Sequence, residues 1–200
     1  DPADNSYTVL HDFQYGSGSF AYGTPIALGG KLYGTTFGGG VSDIGVIYEY
    51  DLSSDTYTVL HNFETATGSS PFGGNLIVSG GKFYGMTRFG GDYGSGVIYE
   101  YDPAGSGTYT VLSHFDFVNG AEPYGSLLES GGKFYGITSY GGIHGGGVLF
   151  EYDFFGSGAH VPLHNFDFDS GIYPLGSLME ADGKFYGLTS EGKIGRASCR

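Results

Sequence analysis

Four lysines, Lys31, Lys82, Lys133 and Lys184, each open a Lys-x-Tyr-Gly sequence, and each lies 51 residues from the next. A second run, Gly-Val-(Ile/Leu)-(Tyr/Phe)-Glu-Tyr-Asp, starts at Gly45, Gly96 and Gly147 with the same period. Such a period constrains the fold more than any single residue does, because a copied supersecondary unit must bury its apolar faces against its neighbours. Within a unit the strand signals are short. Strand a, dominated by β-branched and aromatic residues, is read at 7–13, 57–63, 109–115 and, more loosely, 160–166. Strand b is Gly125-Ser126-Leu127-Leu128-Glu129 in the third unit, and strand c is the Lys-x-Tyr-Gly-x-Thr run. Gly80-Gly81, Gly131-Gly132 or Asp182-Gly183 joins b to c, and such dipeptides favour the positive backbone angles of tight hairpins. Strand d carries the Glu-Tyr-Asp sequence. No connection is long enough for a crossover helix, so each unit is expected to be an antiparallel meander.

The fold class this predicts is all-β: a β-propeller fragment of four-stranded antiparallel blades, about 51 residues per repeat. From the axis outward the strands run b, c, d, a. Residues 1–192 make one repeat region with complete blades at about 25–63, 71–115 and 123–166, while a fourth blade begins at Pro174 and lacks its last two strands. Residues 7–13 read as the outer strand of a further blade, available to pair onto the fourth. Asp1-Pro2-Ala3 lines up with Asp102-Pro103-Ala104, so the chain is expected to start within a unit. After Gly192 the repeat is lost. Residues 193–200 resemble one reading frame of a sequencing-adaptor oligonucleotide and are expected to be a non-native tail. With them would go Cys199, the chain's one cysteine, and any argument from thiols. Open sheet edges lead us to expect a fragment prone to association.

Glycine is abundant, 40 of 200 residues, yet 18 tyrosines and 16 phenylalanines supply the bulky apolar surface that a disordered chain lacks. The formal charge of -13 argues against nucleic acid as a partner, since phosphate binding needs a basic footprint. No apolar run is long enough for a helical membrane span.

The pattern resembles the kelch repeat, although Tyr7, Tyr57 and Tyr109 stand where kelch has tryptophan and the double glycine comes one loop later. It is more similar to the Gloeo/Verruco tandem repeat of bacterial surface proteins, whose Gly-Gly-…-Gly-hydrophobic-hydrophobic-(Tyr/Phe)-Glu core matches 39–49, 90–100 and 141–151. That resemblance implies a propeller-like region in secreted or surface-anchored proteins, hence an extracellular or cell-surface location. It implies no defined activity.

Residues present in every unit are read as architectural, because a catalytic site on a ring needs an asymmetric constellation. Glu49, Glu100 and Glu151 lie in mid-strand between aromatics, where an unpaired carboxylate is costly, and Lys31, Lys82, Lys133 and Lys184 on the neighbouring strand are the available partners. A cross-strand ion pair per blade is therefore expected rather than a ring of general acids. His11, His61 and His164 share one repeat position, whereas His114 is displaced by one and points to the other strand face. One histidine per blade does not converge on a metal, and none is expected. Asp167-Phe168-Asp169-Ser170-Gly171 alternates acids before a glycine but lacks the other ligands of a calcium loop. Asp51, Asp102 and Asp153 read as turn initiators.

No catalytic set can be assembled and no cofactor is expected. Function is sought instead in residues that vary while the frame stays fixed: Arg88, Asp92 and Tyr93 in one loop, Tyr140, Ile143 and His144 in the next. These are the candidate binding residues. The leading functional reading is a non-catalytic extracellular scaffold whose loops recognise an unknown protein or carbohydrate. Two alternatives stay open: part of a carbohydrate-active propeller enzyme, hydrolase or lyase, and a structural spacer of a surface protein.

Overall fold

The computed structural model describes residues 5–104 and 107–191, and the backbone of 194–197. Glycine pairs with positive φ, such as Gly80 (57°) and Gly81 (81°), turn strand b tightly into strand c, and the meander follows from these hairpins. The first unit gives β1 (Ile26–Leu28), β2 (Lys31–Thr36), β3 (Val46–Asp51) and β4 (Thr56–Asn62). The second gives β5 (Ile77–Ser79), β6 (Lys82–Thr87), β7 (Val97–Asp102) and β8 (Thr108–His114). The third contains β9 (Ala121–Pro123), β10 (Leu128–Ser130), β11 (Lys133–Tyr140), β12 (Val148–Tyr152) and β13 (His160–Asn165). The fourth contains β14 (Ile172–Ala181), β15 (Lys184–Glu191) and β16 (Ile194–Ala197). No helix occurs among the described residues.

All the ladders are antiparallel and follow chain order: β1-β2-β3-β4, β5-β6-β7-β8, β10-β11-β12-β13 and β14-β15-β16. Two details differ from the sequence expectation. The segment leading into strand b itself pairs with strand c, as β9 on β11, and in the fourth sheet it fuses with strand b into β14 through an irregularity between Leu175 and Met179. Each d–a ladder also carries a bulge at the same place, between Ile47 and Tyr48, Ile98 and Tyr99, and Leu149 and Phe150. The extra residue is Leu60, Leu112 or Leu163. The carbonyls of Leu60 and Leu112 accept the hydroxyl protons of Tyr101 and Tyr152 on the following sheet, so the kink that disrupts one ladder supplies a tie to the next blade.

The core lies between sheets. Tyr33 and Ile47 pack with Phe83, Val97 and Tyr99 between the first and second; Tyr84, Met86 and Ile98 pack with Phe134, Val148 and Phe150 between the second and third. One ring pair recurs at each junction, Tyr33 on Phe83 (4.7 Å), Tyr84 on Phe134 (4.8 Å) and Tyr135 on Phe185 (4.5 Å). Phe83 and Phe134 are wholly buried, each contributing about 1.5–3 kcal/mol by removal from water.

Residues 7–13, the expected outer strand, join no ladder among the described residues and do not pair onto the fourth sheet. They lie on the first sheet, with His11 stacked 3.8 Å over Tyr57 and Phe13 edge-on to Tyr48 at 5.3 Å. In the fourth sheet the ladder position of strand d is taken by β16, which falls in the expected tail.

Candidate functional site on the loop face

Antiparallel order puts the two ends of every sheet on opposite faces of the molecule. On one face lie the hairpin and d–a turns; on the other lie the c–d loops and the long a–b connections. Most residues repeated in every unit serve the first face or the blade interior. Lys31, Lys82 and Lys133 donate to Glu49, Glu100 and Glu151 at 2.6, 2.6 and 2.5 Å, and these hydrogen bonds hold each lysine above its ordinary pKa. The second carboxylate oxygen of Glu100 and of Glu151 accepts from Tyr84 and Tyr135, at 2.9 and 3.1 Å. Lys184 takes the same strand position, opposite Ala181.

The glycine of the motif sits directly opposite an aromatic ring of strand d. A Cβ on Gly34 or Gly85 would lie 2.5 Å from the hydroxyl of Tyr48 or Tyr99, and one on Gly136 would lie 2.5 Å from Phe150. The threonine closes the c–d loop. Buried Thr36, Thr87 and Thr138 each donate to a loop carbonyl two residues on and accept from the amide of Val46, Val97 or Val148. The outer strand latches the same loop: Asn62 and Asn165 accept from the amides of Val41 and Ile143, and His114 accepts from Asp92 through Nδ1 at 3.0 Å. The displaced histidine is therefore a stand-in for asparagine.

The c–d loops carry the candidate binding side chains, none of which repeats, and the structure distributes them over three places. Arg88 leaves the end of β6 and donates through Nε and Nη2 to Glu122, at 3.0 and 2.8 Å. Its guanidinium lies over Phe89 (4.7 Å), Tyr124 (5.4 Å) and Phe72 (5.6 Å). Phe72 and Tyr124 belong to an arc along the inner edge of the loop face, Phe20, Tyr22, Phe72 and Tyr124, with successive centroids 6.2, 4.7 and 4.4 Å apart. Asp92 and Tyr93 stand apart from this arc. Asp92 turns towards His114, its carboxylate 3.7 Å from Nε2, and Tyr93 is 66 % exposed. Tyr140 packs on Tyr173 at 5.1 Å. Nearby, His144 opens onto a cleft of 390 Å³ lined also by Asp167, Phe168, Ile172 and Tyr173.

Asp167 is held below the usual carboxylate range, chiefly by the Ser170 amide and hydroxyl. Its Oδ1 also accepts from the Asp169 amide, so the Asp-Phe-Asp-Ser sequence is a self-bonded turn. Among the described residues no three His, Cys, Asp or Glu side chains gather as metal ligands. Phe72, Tyr124, Glu122, Tyr173 and Phe168 were missed as site residues in the sequence. A usable signal was present for two of them, the Pro-aromatic-Gly runs Pro71-Phe72-Gly73 and Pro123-Tyr124-Gly125.

This arrangement of four-stranded antiparallel sheets packed face to face defines a β-propeller-type repeat protein. The chain belongs to the Gloeobacter/Verrucomicrobia repeat family, whose model matches residues 1–198. Among curated proteins no significant match is found. Among solved structures, the chain is similar to one in the crystal structure of a nidogen/laminin complex, with a TM-score of 0.54 and 13% identity over 80% of this chain. It spans 52% of that chain's length. TolB from Acinetobacter baumannii (TM-score 0.49, 17% identity, 84% of this chain and 40% of that one) and the tricorn protease (0.37, 13%, 84% and 21%) also match.

Proposed function

We propose that the chain is part of a non-catalytic recognition scaffold, extracellular or on a cell surface, whose loop face binds a protein or carbohydrate ligand. One observation carries this reading: the residues repeated in every unit are consumed by architecture, while the candidate binding side chains, each of which occurs once, gather on one face. Arg88, Tyr93, Tyr140 and His144 all sit there, on loops latched by Thr87, Thr138, His114 and Asn165. Rigidly held loops with variable aromatic tips suit recognition, because little backbone order remains to be imposed on binding. Half-exposed rings offer flat apolar surface for the face of a sugar or the side chain of a partner. The solved structure with the highest TM-score reported above was crystallised as a complex of nidogen with laminin; that likeness is one of fold and supports only the suitability of the scaffold.

The test is binding of the chain to glycan and protein arrays, repeated with Tyr93→Ala, Tyr140→Ala and His144→Ala and with the opposite-face control Lys82→Ala. The expected result is a ligand lost in at least one loop variant and kept by the control. Silence on both arrays, or binding indifferent to all three loop variants, removes the proposal.

A further inference from the structure

One position on the loop face keeps its backbone in every unit and changes its side chain. Phe20, Ser70, Glu122 and Tyr173 all have positive φ, at 58, 54, 51 and 54°. The amides of Ser70, Glu122 and Tyr173 donate to the carbonyls of Ile44, Ser95 and Gly146 on the c–d loop of the preceding sheet, at 2.7, 2.9 and 2.9 Å. Glycine takes such an angle without steric cost, and the chain holds 40 glycines, yet none stands at these four places. Backbone strain kept under four different side chains points to a use for the side chains themselves. The residue after the motif threonine, across each junction, changes too. Phe37 packs edge-on against Phe72 at 5.3 Å, Arg88 donates to Glu122, and the Ser139 hydroxyl donates to the Pro174 carbonyl at 2.9 Å. Two junctions thus hold without an ion pair, so blade packing does not call for the one between Arg88 and Glu122.

That pair uses only part of its hydrogen-bonding capacity. Nε and Nη2 of Arg88 share one oxygen of Glu122, Oε2, which leaves Nη1 and Oε1 without a partner among the described residues. The two side chains are 25 and 27 % exposed, so the pair is open to solvent. Beside it stand Phe72 and Tyr124, half-buried rings 4.4 Å apart. All four residues belong to the junction of the complete second and third sheets. We propose that Arg88 and Glu122, with Phe72 and Tyr124, form a subsite for an uncharged sugar: the guanidinium donates to one hydroxyl, the carboxylate accepts from its neighbour, and the sugar's apolar side rests on the exposed part of the rings. An acidic or basic ligand would have to break the pair and leave a half-buried charge unmatched. A hydroxyl both donates and accepts, so it adds to the pair without breaking it. The rings supply flat apolar surface next to those polar atoms. The formal charge of -13 also opposes acidic polymers. The proposal rests on the reading of the loop face as a recognition surface and narrows that reading to carbohydrate.

The probes are uncharged glucans, mannans and xylans on an array that also carries polygalacturonate, heparin and proteins. The chain is expected to bind at least one uncharged glycan, with an affinity in titration calorimetry that stays constant as salt is raised to about 0.5 M, because no net charge is neutralised. The double variant Arg88→Phe/Glu122→Ser copies the first junction, where Phe37 and Ser70 occupy the two places, and so keeps a pairing that the fold already accommodates. Its circular dichroism spectrum is expected to be unchanged and its glycan affinity to fall by about tenfold or more, as the loss of charge-assisted hydrogen bonds requires. Glu122→Gly, which removes the carboxylate at an angle that glycine adopts freely, is expected to weaken binding in the same way. Hits confined to proteins or acidic polymers, or an uncharged glycan held as tightly by either folded variant, overturn this proposal and leave the broader reading to Tyr93, Tyr140 and His144. Silence on the whole array overturns both.

Discussion

Glu100 shows how tightly one side chain is defined by its cross-strand neighbours: Lys82 donates to one oxygen, Tyr84 to the other, and Gly85 beside them leaves room for Tyr99. A methyl group at Gly85 would meet a ring that is 1 % exposed and has nowhere to go. Gly85→Ala is therefore expected to lower stability by about 1–3 kcal/mol in urea denaturation. The lysine–glutamate pairing could be read from the sequence because strand alternation and the shared period put both on adjacent strands; the reason for the glycine could not, since it depends on where the Tyr99 ring lies. At the junction of the second and third sheets His160 replaces the tyrosine that His61 stacks on one blade earlier, and Ser113 replaces the histidine, so a stack gives way to a hydrogen bond of 2.9 Å. Burial pushes the His160 imidazole down to about 4 and lowers His61 as well. The folded state thus binds fewer protons than the unfolded one below pH 6.5. Stability is complete above that value and falls as the pH drops towards 4. His160→Tyr, which restores the residue of the other units, is expected to flatten part of this slope in melts recorded across that range.

Among the elements, strand c is the one on which each blade junction turns, for it sends a tyrosine forward and receives one on a phenylalanine. Phe134→Ala empties a fully buried site between Tyr84 and Phe154, and a loss of about 3–5 kcal/mol is expected in equilibrium unfolding. Strand existence and order were legible from periodicity alone. The bulges at Leu60, Leu112 and Leu163 were not, because a slip of one residue leaves the apolar pattern of the outer strand readable in either register. His114 owes nothing to that bulge, which all three ladders share: it occupies the place of Asn62 and Asn165, while Ser113 takes the place of His61 and His164. Residues 7–13 make the converse point: sequence marks them as a strand, and the ladder that would make them one requires another backbone.

In the whole molecule the blades are tied at their inner edge by a chain of bonds between equivalent positions: Thr24 donates to Asn75, Asn75 to Ser126 and Ser126 to Ser177, at 2.6, 2.7 and 2.9 Å. Ser126→Ala removes the acceptor of the Asn75 amide, and hydrogen exchange is expected to show faster exchange at Asn75 with a destabilisation of about 1 kcal/mol. At the same edge glycines let neighbouring backbones meet: a Cβ on Gly74 would collide with the Gly125 carbonyl. The sequence by itself determined the unit, its strands, their antiparallel order and the pairing of its charged residues, because all of these follow from a 51-residue period and from alternation within a strand. Only the tertiary structure decided which aromatic rings form the inner arc, that Arg88 is bound to Glu122 while Asp92 turns outward to His114, and that the first strand sequence stands without a ladder. The reason is physical. Periodicity encodes contacts that every copy makes, whereas a site built from side chains that occur once depends on how adjacent copies are placed in space.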